Sequence, residues 1–444
     1  MVLRFAPSPT GLLHVGNLRT AIINWLFAKK NNQDFLLRID DTDNTRSKKE
    51  YVDSIEKDLK WIGLDWDLKY AQSERLDAYD DAFNYLKSNN LIYRCFETDE
   101  ELALKRARQR NSGLPPVYDR SSLSLSSDKI NQYLSEGRSP YWRLKLPDSP
   151  ITWKDEIYGE IRFDSKSYSD PVIVRADGRY LYTITSVVDD IFSKVSNIIR
   201  GSDHLTNSGI QIYLFQALGS KAPTFFHHSL MTGVDGDPLS KRIGSLSISS
   251  IRESGIEPEV LLNYLTFVGD ITTQSEFYPI NALAKNFDPK KLSKSNAPFD
   301  ERLLKEVNSG FLQQQNYDFF IKKSGELKLK ELSNEFWGAI RNNIKVFDEV
   351  KIWIDIIYGN IQPVIDDHEY INLALNLIPE GDFNELSWQN WTELIKEKSG
   401  RKGKKLFMPL RLAITGKDFG PEMAKLLLLI EKEKILSRLN GQIS

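Results

Sequence analysis

The sequence predicts a doubly wound α/β domain, interrupted by an inserted α+β subdomain and followed by an all-α half. Three observations predict it. Two apolar runs, Val2 to Phe5 and 34–39, flank a helical pattern and together make a βαβ unit. From about residue 94 to 180 this gives way to a charged helix, a Gly/Pro break and short alternating strands, and the earlier pattern resumes at 181. From 300 onward no strand pattern persists and amphipathic helices dominate. The 444 residues exceed one ordinary core, and at about 150 residues per domain roughly three domains are expected.

The first strand is short and apolar enough to be buried, and Pro7 and Pro9 then force an extended turn. The helix beyond Gly16 repeats Leu18, Ile22, Trp25 and Leu26 at helical spacing, and the second strand ends in the acidic turn Asp40-Asp41-Thr42-Asp43. Ser47 is expected to cap a helix through Tyr51, Ile55, Leu59 and Ile62, with Glu50 completing a capping box and Gly63 near its end. A helix from Leu76 to Asn89 leads to Leu91-Ile92-Tyr93, the expected third strand of the sheet. Ligands of such sheets lie at the carboxyl ends of the strands, so Ala6 to His14 and Asp40 to Asp43 share one rim. The insertion carries a helix from Asp99 to Gln109, a break at Gly113-Leu114-Pro115-Pro116, a Ser-rich linker near 121–127 and strands such as Tyr141 to Lys145. The first pattern returns at Leu181 to Ile184, Asn197 to Gly201 and a helix from Ser208 through Leu218. Ala424 to Leu439 is expected as one amphipathic helix with Leu426, Leu429, Leu436 and Leu439 on a stripe, and Trp337, Trp353, Trp388 and Trp391 are expected to pack cores.

Composition excludes several classes. No apolar run approaches the ~20 residues of a membrane helix, and the N-terminus lacks the pattern of a signal peptide, so a cytoplasmic location with no membrane partner is expected. One cysteine, Cys95, excludes an intrachain disulfide and leaves no cysteine cluster for zinc. A net charge of −2 gives no global field for a polyanion, which local patches would have to hold.

Arg4 to Asn17 packs a strand, a sharp loop and a helix start into one stretch, the anatomy of a phosphate site. Backbone N–H groups at the helix start attract an anion, Gly11 and Gly16 permit close approach, and His14 can donate to a phosphate oxygen. Taken alone, the same residues fit an ordinary βα turn with a solvated histidine.

In order and spacing, Arg4 to Asn17, Arg38 to Asp43, Val187 to Asp190, Ile199 to His204 and Leu239-Ser240-Lys241-Arg242 resemble the class I glutamyl-tRNA synthetases. His14-Val15-Gly16-Asn17 is similar to the His-Ile-Gly-His signature and Leu239 to Arg242 to Lys-Met-Ser-Lys-Ser; the likeness continues at Phe299-Asp300 and Pro409 to Gly416. The resemblance implies a Rossmann-like catalytic domain in two halves (1–93 and 181–254), an inserted acceptor-binding subdomain (94–180), a stem-contact linker domain (255–299) and an all-α C-terminal anticodon-binding half (300–444). It implies an ATP-dependent ligase, monomeric, that uses ATP with Mg2+ to form glutamyl-adenylate and esterifies the 3′-terminal adenosine of tRNA(Glu), with tRNA(Gln) an open second acceptor. Family members usually require tRNA before they activate glutamate.

The resemblance also implies roles. His14 and Lys241 would be the catalytic groups, meeting the phosphates from opposite sides, with Gly16, Asn17 and Arg242 completing the ATP site. Arg200 and Arg4 would face the glutamate side chain, Tyr182 and Ser8 would assist, and Asp40 would pair with the α-ammonium. Such a reaction runs on positioning and electrostatic stabilisation and needs no protein nucleophile. Arg38 and Asp43 fit either ligand contacts or strand-end salt bridges, and Asp189-Asp190 either a helix cap or a part in shaping the site.

Three departures stand out. Pro238 stands where many members carry lysine, which motivates the alternative of a non-catalytic tRNA-binding paralogue of the same fold. Cys95-Phe96-Glu97 offers one thiol where some relatives bind zinc, so no structural zinc and no other metal site is expected. Asp40 stands where some members have glutamate. Lys291-Leu292-Ser293-Lys294-Ser295 matches Lys-Met-Ser-Lys-Ser better letter for letter, but it lies in sequence expected to be helical beyond the nucleotide fold. Lys294 is read as a tRNA-backbone contact or part of a solvated linker. The run 398–405, with Lys404 and Lys405, fits a solvated loop or an RNA contact, and the resemblance favours RNA.

Overall fold

The computed structural model describes residues 1–237, 239, 246–268, 276–329 and 332–444; Pro238, Lys241 and Arg242 lie outside the described residues. The chain divides into two compact units, residues 1–253 with 261–300, and residues 254–260 with 301–444.

The first unit is built on parallel strands whose side chains are almost wholly buried, as sheets covered on both faces require. β1 (Val2–Phe5) pairs with β2 (Asp34–Ile39), which pairs with β3 (Leu68–Ala71), all in parallel. β4 (Ile92–Cys95), β5 (Tyr141–Leu144) and β8 (Val172–Val174) form a separate antiparallel sheet. β6 (Ile151–Asp155) and β7 (Gly159–Phe163) make a hairpin that extends the parallel sheet beyond β9 (Asn197–Gly201) and β10 (Thr224–His228), with β6 beside β10. A parallel bridge from Val2 to Val195, with Ser196 N donating to Val2 O at 3.1 Å, connects the two halves. The strand order is therefore β3-β2-β1-β9-β10-β6-β7. β11 (Met231–Gly233) and β12 (Ala297–Phe299) pair in parallel.

Helices cover both faces. α1 (Val15–Lys30) is pinned by polar side chains: Asn24 Nδ2 donates to Ile199 O at 2.9 Å and Arg19 Nη1 to Ser229 O at 2.9 Å. α2 (Lys49–Trp61) and α3 (Leu76–Ser88) follow β2 and β3. α4 (Asp99–Asn111), capped by a Thr98/Glu101 box, and α5 (Ser127–Ser135) belong to the insertion. α6 (Tyr182–Phe192) precedes β9 and α7 (Leu205–Ala217) follows it.

Several expectations change here. Residues 91–93 do not supply the third parallel strand: β4 joins the second sheet, and Leu68–Ala71 takes that place although only half-buried to exposed. An edge strand needs apolar side chains less than a central one, so its pattern is weak. Ser47 is not the cap of α2. Lys48 occupies that position without a side-chain cap, and Ser47 Oγ makes no hydrogen bond among the described residues. Leu181 to Ile184 opens α6 instead of forming a strand. Lys291 closes a single 3-10 turn (Pro289–Lys291), and 292–295 are bends and irregular chain leading into β12, within the first unit.

The second unit is helical throughout its described residues, from Glu301–Gln314 to Lys432–Leu439. Trp337, Trp353 and Trp391 are fully buried, and Trp388 packs edge-on against Trp391 with centroids 5.9 Å apart. The stretch 424–439 is two helices, not one. Glu431 adopts extended backbone between Met423–Leu427 and Lys432–Leu439, so that Ile430 and Ile435 both reach the core. Among the described residues no helix is long and apolar enough to cross a membrane.

Gly209 lets α7 close onto the hairpin: a Cβ there would lie 2.6 Å from Phe163 Cγ. Gly209→Ala is expected to destabilise the protein by about 1–3 kcal/mol through overpacking, read as a lowered thermal unfolding midpoint.

Candidate active site

The carboxyl ends of β1, β2 and β9 deliver Arg4, Arg38, Asp40 and Arg200 beneath one rim, and α6 brings Asp189 and Asp190 against them. Arg38 is fully buried. Its Nε and Nη2 donate to Asp40 at 2.7 and 3.1 Å, and its Nη1 donates to Asp190 Oδ1 at 2.8 Å. Arg4 grips the same Asp190 bidentately, at 3.0 and 3.3 Å. Asp189 accepts from Gln72, Arg75 and Tyr79 at 2.9, 2.7 and 2.8 Å. Burial opposes the charge on Asp190, but the Arg4 and Arg38 guanidiniums outweigh it and the carboxyl titrates below the usual range. Burial pushes Asp40 the other way, up to about 6, against the pull of Arg38. Asp189 and Asp190 are thus neither caps nor surface groups; they lie in the last turns of α6 and fix the arginines.

Arg200 differs from its neighbours. It is 5% exposed, and no carboxylate lies within ion-pair distance of it among the described residues. Its guanidinium donates to Tyr182 Oη at 2.8 Å and to Ser208 Oγ at 2.6 Å, and its Nε lies 3.5 Å from His227 Nε2. A buried guanidinium held by neutral hydrogen-bond partners keeps a desolvation cost that an anion in contact with it would offset. Tyr182, at the first turn of α6, presents its ring to His204 at 5.9 Å.

His14 lies at the N-cap of α1, and its Nδ1 accepts from Gly16 N and Asn17 N at 3.1 and 3.4 Å. The two amides expected to face a phosphate are therefore occupied by the imidazole. Gly16 has its own reason to be small, since a Cβ there would lie 3.1 Å from His14 Cε1. Desolvation lowers the His14 pKa, and an Nδ1 that accepts two N–H bonds leaves the proton on Nε2, free to donate. A cleft of ≈ 810 Å³ opens beside it, lined by Pro7, Gly11, His14, Asn17, Glu50 and Ser247 among others. Leu239 and Leu246, which flank segment 240–245 of the Lys241 motif, line the same cleft.

The remaining predicted residues are more scattered. Ser8 is exposed on the loop after β1, its carbonyl accepting from Thr10 N at 2.9 Å. Asp43 holds Thr45, Arg46 and Arg179 at the surface. Lys294 is exposed with its ammonium 5.9 Å from the Tyr158 ring. In the second unit Lys404 and Lys405 stand at the start of helix Lys404–Thr415, on the rim of a cleft of ≈ 480 Å³ shared with Asp366, Asp367 and Arg401. Among the described residues no group of three or more His, Cys, Asp or Glu is placed to hold a metal ion.

Sequence reading missed Ser208, His227 and Asp155. His227 pairs in register with Arg200 across β10 and β9, and its Nδ1 lies 2.6 Å from Asp155 Oδ2. The signal available was His227-His228 closing an apolar strand at the rim; nothing in the sequence tied Asp155 to it.

The match to known proteins is extensive. Residues 1–306 match the catalytic domain of class I tRNA synthetases (E and Q), and residues 339–443 match an anticodon binding domain. The chain is 46% identical over 440 residues to glutamate–tRNA ligase 1 of Maricaulis maris, with 99% of each chain covered. It is 41% identical over 444 residues to glutamate–tRNA ligase 1 of Rickettsia felis, again with 99% of each covered. A crystal structure of a glutamate tRNA ligase from Elizabethkingia meningosepticum, in complex with its amino acid, superposes with a TM-score of 0.84 at 28% identity, covering 99% of this chain and 98% of that one. With the rim geometry, the interrupted doubly wound sheet and the helical second unit, these matches establish that the chain belongs to the glutamate–tRNA ligase family of class I tRNA synthetases.

Proposed function

We propose that the protein activates L-glutamate with ATP and transfers it to the 3′-terminal adenosine of tRNA(Glu), acting as a cytoplasmic monomer. The observation that carries this reading is Arg200, a buried cation without a carboxylate partner among the described residues, held by Tyr182 and Ser208 where the strands meet the rim. A planar guanidinium offers two parallel donors to a side-chain carboxylate, which neutralises the buried charge as it binds. Arg4 contributes positive potential close by while its own charge is balanced by Asp190. Asp40 retains lone pairs beyond those used by Arg38 and takes the α-ammonium.

His14 Nε2–H donates to an ATP phosphate, and Lys241, in the sequence between the cleft-lining Leu239 and Leu246, supplies the opposing cation. Gly16 and Asn17 shape this site around the imidazole, and Arg242 adds charge. Bringing the substrate carboxylate in line with the α-phosphate, while cations stabilise the leaving pyrophosphate, accounts for the rate without a protein nucleophile. Mg2+ enters as the counter-ion of ATP, since the described residues offer no cage for it. Lys294, Lys404 and Lys405 hold tRNA phosphates, and charging of the two purified tRNAs decides whether tRNA(Gln) is a second acceptor.

The primary test is glutamate-dependent ATP–pyrophosphate exchange, expected only with tRNA present; no exchange under either condition would favour a non-catalytic tRNA-binding paralogue. Arg200→Ala should raise KM for glutamate by about 10²-fold with little change for ATP, whereas His14→Asn, which keeps an N-cap acceptor, should lower kcat by about 10²-fold. Because the carboxylate form of Asp40 is the one that attracts an ammonium and its pKa is raised to about 6, KM for glutamate should rise as pH falls through 6 and level off above it. Replacing Lys404 and Lys405 together with alanine should raise KM for tRNA and flatten its salt dependence by about two phosphate contacts; an unchanged slope would remove them from the interface.

A further inference from the structure

The surroundings of Arg200 contain a chain of buried polar groups that the proposed chemistry does not use. Asp155, at the end of β6, is fully buried, and its Oδ1 accepts the backbone N–H groups of Ile157 and Tyr158 at 2.9 and 2.8 Å. Its Oδ2 lies 2.6 Å from Nδ1 of His227, which is also fully buried. The other ring nitrogen of His227 lies 2.8 Å from Ser208 Oγ and 3.5 Å from Arg200 Nε, and Ser208 Oγ in turn accepts from Arg200 Nη2.

We propose that Asp155, His227 and Ser208 are positioning residues that orient the Arg200 guanidinium and thereby set the preference for a carboxylate over a carboxamide side chain. This rests on the reading of Arg200 as the glutamate anchor.

A carboxylate only accepts, so Asp155 fixes the His227 proton on Nδ1 and leaves Nε2 as a lone pair. That lone pair faces Arg200 Nε–H at 3.5 Å and the Ser208 hydroxyl at 2.8 Å, whose one proton has His204 O at 3.1 Å as its other acceptor, and so attracts the guanidinium. With the opposite tautomer, Nε2–H would point at Arg200 and push it away. The protonation states favour the first arrangement. Burial opposes the charge on Asp155, yet His227 and the two backbone amides keep its carboxyl below the usual range. Burial lowers His227, and Arg200 lowers it further against the pull of Asp155 and Asp203, so the ring stays neutral. The neighbouring His204 and His228 are likewise held neutral, at about 4 and about 3, by burial and by the cations Arg200 and Arg19. None of these imidazoles carries a positive charge that would compete with Arg200 for an anion, and the histidine nearest to it is an acceptor.

Asp155→Asn is the discriminating change. The amide oxygen can still take the Ile157 and Tyr158 N–H bonds, but its nitrogen now donates to His227 Nδ1 and forces the proton to Nε2. Ser208→Ala removes a direct partner of Arg200 without altering the tautomer. Both variants, with Arg200→Ala as reference, are assayed by tRNA-dependent pyrophosphate exchange with L-glutamate and with L-glutamine. The expected result is a KM for glutamate raised at least about tenfold in each, the scale of losing one hydrogen bond to a charged group, with KM for ATP and kcat within about twofold and the glutamate-to-glutamine ratio of kcat/KM lowered. If Asp155→Asn does not fold, as read by its thermal midpoint, Ser208→Ala decides. Folded variants with an unchanged KM for glutamate, beside an Arg200→Ala variant in which it rises, would overturn the relay and leave the glutamate anchor intact. KM values for glutamate and ATP that rise together would overturn it as a general disturbance. An Arg200→Ala variant that binds glutamate normally would overturn the anchor itself.

Discussion

Three buried or half-buried guanidiniums, Arg4, Arg38 and Arg75, are neutralised by Asp40, Asp189 and Asp190, and a fourth, Arg200, is not. That imbalance is the constraint on which the site depends. Removing a carboxylate from such a cluster strands a buried cation, at a cost of about 3–5 kcal/mol for a broken buried pair. The cluster therefore behaves as a unit: β1, β2, α6 and the segment 72–79 are bound to one another through a few oxygen atoms. Within this cluster the same balance that fixes the fold leaves Arg200 without a carboxylate partner among the described residues.

The two chemistries expected of the first seventeen residues separate in space. Arg4 points down into the charge cluster and belongs to the amino-acid side, while His14 sits at the start of α1 and belongs to the cleft. His14 also does two jobs with one ring. Nδ1 satisfies the amides of Gly16 and Asn17, which a helix terminus would otherwise leave unpaired, and this fixes the proton on Nε2. The first two amides of the helix are thus covered by the imidazole, and Nε2–H is the donor the helix start presents. Gly16 is required less for backbone freedom than for the space the ring occupies.

Much of the architecture was legible because burial writes a strong signal. Val2 to Phe5, Asp34 to Ile39 and Asn197 to Gly201 are central parallel strands, apolar on both faces, and their bounds follow from the sequence alone. β3 was not legible because an edge strand can carry Lys69 and Tyr70 without penalty. The Ser47 cap failed because a Ser-x-x-Glu pattern marks a helix start only if the chain enters the helix there, and the loop holding Asp43 and Arg46 delays that entry to Lys48. The hairpin of β6 and β7 was assigned to the insertion because it is contiguous with it in sequence, yet it extends the main sheet and carries Asp155 to within reach of β10.

By itself, the sequence determined the first βαβ unit, the return of a buried strand at Asn197 to Gly201, the helical last third of the chain and the shared rim of Ala6 to His14 and Asp40 to Asp43. These follow from hydrophobic period, Gly/Pro punctuation and ordered motifs, all of which are local. Only the tertiary structure decided which of the rim arginines, Arg4, Arg38 and Arg200, has no carboxylate partner among the described residues. Asp190 could have paired with Arg4, Arg38 or Arg200, and Asp155 lies more than seventy residues from the histidine it fixes. Charge pairing and tautomer choice depend on distances between elements remote in the chain, and no local pattern encodes them.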